Sequence, residues 1–155
     1  MRIAIDASGL GTATLEERSY FRGLLQNLLL GPEDNSYALA AWPEKACGDF
    51  LSFLSPLPRE AYGKLGRAPE CPGSAGDVLY DPLGLAGRTA SVDRAACPLV
   101  TTFLGGEGRH WPPSRAGFAL RVASRIITFT RSAFAYLVHR KGISASRVRW
   151  LPPGL

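Results

Sequence analysis

Six short apolar runs recur along this chain, and most of the stretches between them carry helical periodicity. The runs are Arg2-Ile-Ala-Ile-Asp6, Tyr37-Ala-Leu-Ala-Ala-Trp42, Asp77-Val-Leu-Tyr80, Pro98-Leu-Val-Thr-Thr-Phe103, Arg125-Ile-Ile-Thr-Phe129 and Arg147-Val-Arg-Trp-Leu151. Strands that alternate with helices over short connections pair in parallel, and their helices cover both faces of the sheet. The run at 125–129 is apolar enough for burial on both faces, as a parallel sheet requires. The pattern predicts an α/β fold, a Rossmann-like three-layer sandwich with a mostly parallel sheet, over residues 1–155.

The clearest helix follows the first run. Thr14 suits an N-cap, with Glu16 and Glu17 in the first turn where the helix dipole favours carboxylates. Phe21, Leu24, Leu25, Leu28 and Leu29 recur at helical spacing, and Gly31-Pro32 ends the pattern. A helix near 114–124 precedes the run at 125–129. Thr130 then caps another helix, in which Phe134, Leu137, Val138 and the Lys141 stem share a face and Gly142 is the C′ residue. Residues 44–75, rich in Pro and Gly, suggest a short helix near 46–54 and a short strand near 60–65.

The 155 residues suffice for one ordinary core, and 46% of them are hydrophobic, which excludes a disordered chain. No apolar run approaches the roughly 20 residues needed to span a bilayer. Asp6 interrupts the start, so the pattern of a secretory signal is missing and a cytoplasmic domain is expected. Cys47, Cys71 and Cys97 are odd in number and widely spaced, which suits reduced thiols. His110 and His139 stand at no metal-ligand spacing from each other or from a cysteine.

The net charge of +5 is unevenly placed. Residues 1–105 hold 9 basic and 12 acidic side chains, whereas residues 106–155 hold 9 basic side chains against Glu107 alone. That half suits contact with an anionic membrane, or simply the solvated faces of two helices. The aromatic residues fall at core spacing and are not interleaved with the arginines, so no nucleic acid is expected.

Two glycine loops, Gly9-Leu-Gly11 and Gly105-Gly106-Glu-Gly108, follow strand candidates and fall at the same edge of the sheet. Open α/β sheets hold ligands at that edge. A dinucleotide fingerprint asks for glycine where Thr14 stands, and no Gly-Lys-Ser or Gly-Lys-Thr phosphate loop occurs, so no cofactor is expected. The plain alternative for Gly9 and Gly11 is a turn that needs positive φ. Asp6, Asp77 and Asp81 lie at strand ends, where capping and turn roles are the default. No nucleophile elbow accompanies His110 and Ser114, and His139, beside Arg140 and Lys141, reads as a surface residue.

Four stretches in this order resemble the N-terminal domain of GT-B glycosyltransferases of the retaining family 4 (group 1). They are Met1 to Leu10, the helix Arg18-Ser-Tyr-Phe-Arg-Gly-Leu-Leu-Gln-Asn-Leu28, the strand and cap Arg125 to Phe134, and Gly142 to Leu155. The resemblance implies an acceptor-side domain facing a cleft, with Gly9, Leu10, Gly11, Thr12, Leu104, Gly105, Gly106 and Thr130 lining the substrate site. It also implies a nucleotide-sugar donor held by a C-terminal domain that carries two glutamates eight residues apart. No two glutamates here have that separation. The chain stops where the resemblance places the interdomain linker, so half an enzyme is expected, inactive alone. Where the family carries a His-Asp pair, this sequence has Leu104 and Gly105, and Thr12-Ala-Thr-Leu-Glu-Glu-Arg18 replaces the usual glycine-rich loop. Two readings follow: a divergent acceptor domain, or a non-catalytic binding or assembly module that kept the fold.

Overall fold

A computed structural model describes residues 1–32, 34–55, 57–67, 77–83, 97–104 and 120–152. Seven strands form one all-parallel sheet: β1 (Arg2–Asp6), β2 (Ser36–Ala40), β3 (Leu65–Arg67), β4 (Val78–Asp81), β5 (Leu99–Phe103), β6 (Arg125–Thr128) and β7 (Val148–Trp150). Their spatial order is β3-β2-β1-β4-β5-β6-β7. The chain therefore builds outward from β1 to β3, then restarts on the other side of β1 and builds outward to β7. This is the doubly wound, Rossmann-like arrangement.

Alternation along the strands sends neighbouring residues to opposite layers. Ile5, Tyr37 and Leu39 join a core with Phe21, Leu25, Leu29, Leu54 and Ala61. These come from α1 (Leu15–Leu30), α3 (Phe50–Leu54) and α4 (Arg59–Tyr62). Ala4, Leu79, Leu99, Phe103 and Ile126 join a second core with Leu120, Ala123, Ala133 and Leu137. Ala133 belongs to α5 (Arg131–Ala135), and Leu137 to the π-helical turn that continues it, Tyr136–Arg140.

The two expected caps are in place. Thr14 Oγ1 accepts the Glu17 N–H at 3.2 Å and the Glu17 carboxylate accepts the Thr14 N–H at 2.8 Å, a reciprocal capping box. Thr130 Oγ1 accepts the Ala133 N–H at 3.1 Å. Gly142 has φ +66°, as a C′ residue after a helix requires. His139 is exposed as expected, but so is Lys141, whose ammonium sits 5.5 Å from the centre of the Tyr136 ring.

Residues 44–67 differ from the expectation. The single helix near 46–54 is two, α2 (Glu44–Cys47) and α3, because Gly48 at φ +67° breaks the path. The strand expected near 60–65 is α4 followed by β3, displaced to Leu65–Arg67. Pro58, extended at the N-cap, leads into α4. Of the helix near 114–124, residues 120–122 are helical and 114–119 lie outside the described residues.

Arg147 fastens the second layer. Its Nε donates to the Ala123 carbonyl at 3.1 Å, and its Nη2 donates to Leu120 at 2.8 Å and Arg121 at 3.0 Å. One guanidinium thus satisfies carbonyls that the end of a helix leaves without partners, and it ties that end to the start of β7.

Candidate functional site

In an open parallel sheet, ligands sit outside the C-terminal ends of the strands where the order reverses. Here that point lies between β1 and β4. The register pairs Ile3 with Val78, Ala4 with Leu79 and Ile5 with Tyr80, so Asp6 and Asp81 end adjacent strands side by side. Alternation puts both on the α5 side of the sheet. Both are almost fully buried, at 3% and 2% exposure. The Asp81 carboxylate accepts the Thr101 hydroxyl at 3.1 Å. Asp6 Oδ1 accepts the Ser8 N–H at 2.9 Å, closing a local turn. Asp77 lies at the other end of β4, where its carboxylate accepts the Arg2 N–H at 2.8 Å.

The α1 side of the same edge carries hydroxyls instead of carboxylates. The Tyr80 hydroxyl and Thr102 Oγ1 lie 2.9 Å apart. Tyr20, in the second turn of α1, brings its hydroxyl beside them without meeting hydrogen-bond geometry to either. Its ring meets Phe129 edge to face at 5.9 Å. Burial pushes the Tyr20 phenol up, an effect that the neighbouring Tyr80 and Thr102 hydroxyls partly offset. Burial also raises the Tyr80 phenol strongly, reinforced by the charge that Tyr20 would carry.

These shifts set an alkaline limit. The folded chain keeps protons on both phenols that the unfolded chain releases near pH 10. Their contribution is whole below that pH and is lost as pH rises through the raised native values. Ultraviolet titration of native protein is expected to show a late tyrosinate step that Tyr80→Phe reduces. An identical titration curve for the variant would contradict this.

Five side-chain polar atoms among the described residues are buried without a hydrogen-bond partner: Asp6 Oδ2, Ser8 Oγ, Arg18 Nε, Tyr20 Oη and Thr128 Oγ1. All five belong to one end of the sheet: the close of β1, the turn after it, the first turns of α1 and the last residue of β6. Unpaired buried polar groups are rare in folded proteins, and each calls for a physical reason. Backbone strain gathers at this end too. Ala41, just past β2, has φ +54°, which costs an alanine about 1 kcal/mol or more.

The residues expected from the sequence are placed as follows. Gly9 to Thr12 do lie at this edge, as a 3-10 helix, Ser8–Thr12. Neither Gly9 nor Gly11 has positive φ, so the turn reading of these glycines is corrected. A Cβ at Gly11 would make only an ordinary contact with the Pro43 side chain, at 3.6 Å. Leu10 is fully buried, so its side chain belongs to the core. Leu104 follows β5 and packs half-buried against the α1-side core. Thr130 is exposed and is used as a helix cap. Gly105 and Gly106 lie outside the described residues.

Ser8, Tyr20, Tyr80, Thr102 and Thr128 were not legible as site residues. The available signal was polarity out of place: Tyr20 precedes the apolar stripe of α1, and Tyr80 and Thr102 interrupt strands at inward positions. Cys47 and Cys97 are free thiols. Among the described residues no group of three or more acidic, histidine or cysteine side chains forms a metal site, and no helix is long and apolar enough to cross a membrane. The chain matches no protein-family model and no curated protein.

Proposed function

We propose that this chain is the acceptor-side domain of a two-domain glycosyltransferase. The observation that carries the reading is the gathering of unpaired buried polar groups at the C-terminal end of β1, beside the β1/β4 reversal. The resemblance of the first strand, the α1 helix and the β6-α5 junction to family 4 glycosyltransferases supplies the reaction class. In this reading the nucleotide-sugar sits on a second domain, which stabilises the departing phosphate during retaining transfer. The present chain holds and orients the acceptor, and the work is cytoplasmic.

Fusion to a donor-binding domain of the resembled family tests this directly. Donor hydrolysis or sugar transfer, read as product mass, is the expected result. A folded fusion that does neither contradicts the reading.

One observation favours a second reading, a binding module without catalysis. Leu104 stands where the family's histidine would face the donor, and its side chain is half-buried on the α1-side core, where leucine offers no hydrogen bond. Residues 120–152 expose Arg121, Arg125, Arg131, Arg140, Lys141 and Arg149 and contain no carboxylate. Such a surface suits anionic lipid. Salt-sensitive sedimentation with acidic liposomes supports this second reading, and sedimentation independent of lipid charge removes it.

A further inference from the structure

We infer that Asp6 and Ser8 form a subsite for a neutral polyhydroxylated ligand, an inference that rests on the acceptor-side reading for the ligand's role. The two residues share one turn at the close of β1. Asp6 Oδ1 is engaged by the Ser8 N–H, which fixes the carboxylate and leaves Oδ2 as the acceptor without a partner. Ser8 Oγ is the second buried group without one. A hydroxyl both donates and accepts, so a diol can satisfy a carboxylate oxygen and a serine hydroxyl together. A donor hydrogen-bonded to a carboxylate makes one of the stronger hydrogen bonds available to a neutral ligand.

The alternatives fit less well. A phosphate would meet the Asp6 carboxylate as a like charge. A hard metal ion wants several oxygen side chains, and no group of three or more carboxylate, histidine or cysteine ligands exists among the described residues. Neutral hydroxyls avoid both costs.

Titration calorimetry on the full chain tests the subsite, with D-glucose, D-mannose and myo-inositol as probes and inorganic phosphate and Mg²⁺ as controls. At least one polyol is expected to bind. Asp6→Asn, which keeps the acceptor for the Ser8 N–H but replaces Oδ2 with an amide donor, should weaken binding about tenfold or more. Ser8→Ala should weaken it by a smaller factor, and it decides alone if Asp6→Asn does not fold. Absence of polyol binding, variants that bind as the unchanged chain does, or a preference for Mg²⁺ or phosphate lost in Asp6→Asn would each overturn the inference. Sugar transfer by the fusion protein that Asp6→Asn leaves untouched removes the subsite but keeps the glycosyltransferase reading. Polyol binding without transfer does the reverse.

Discussion

Replacing Phe21 with alanine is expected to cost about 3–5 kcal/mol of folding stability. Phe21 is fully buried on α1, in the core it shares with Ile5, Leu25 and Leu39. Its loss removes a ring's transfer energy and leaves a cavity beneath α1. Helix and sheet backbones around that cavity are held by their own hydrogen bonds and collapse only in part. For a chain of this length the melting temperature should fall by roughly 6–20 °C. Leu24→Ala, at a half-buried position on the same helix, should cost distinctly less. Chemical denaturation of the two variants checks the order, and equal losses would mean that α1 does not present the face described here.

Arg147→Ala is the second large effect, about 2–3 kcal/mol. The guanidinium donates to three main-chain carbonyls, Leu120, Arg121 and Ala123. Alanine removes these donors from carbonyls at the end of a helix. Lysine keeps the charge but lacks the planar fork that reaches several acceptors at once, so Arg147→Lys should recover only part of the loss. Because these contacts precede β6 and β7, they lie at the end of the sheet away from Asp6 and Asp81. Both variants should keep any ligand affinity of that edge while folded. A loss confined to binding, with stability unchanged, would contradict this placement.

The fold was readable in the sequence because parallel strands buried on both faces write themselves as apolar runs. Runs such as Ile126-Ile127, and the Phe21 to Leu29 stripe of α1, leave few other architectures. The segment from Glu44 to Arg67 was misread for a local reason. A positive-φ glycine at position 48 and a proline N-cap at position 58 divide it into helices of four or five residues, too short to show a period.

The site was legible only in its position. Gly9 and Gly11 pointed to the correct end of the sheet, but their backbone is ordinary, and the polar groups that distinguish this edge come from elsewhere. Asp6 was legible as a turn residue, and one of its oxygens does that work. The second oxygen became visible only in the structure, as one of the buried polar atoms without a hydrogen-bond partner among the described residues. Tyr20, Tyr80 and Thr102 are apart in sequence, and topology alone brings them together.

The central claim is that ligands enter at the C-terminal ends of β1 and β4. Amide chemical-shift mapping on the full chain, titrated with D-mannose and myo-inositol, tests it most directly. The account predicts shifts confined to Asp6 to Thr12, Tyr80 and Asp81, Thr102 to Leu104 and Thr128 to Thr130. Shifts centred instead on Arg2 and Asp77 at the opposite edge, or on Arg140 and Lys141 beyond α5, would contradict it.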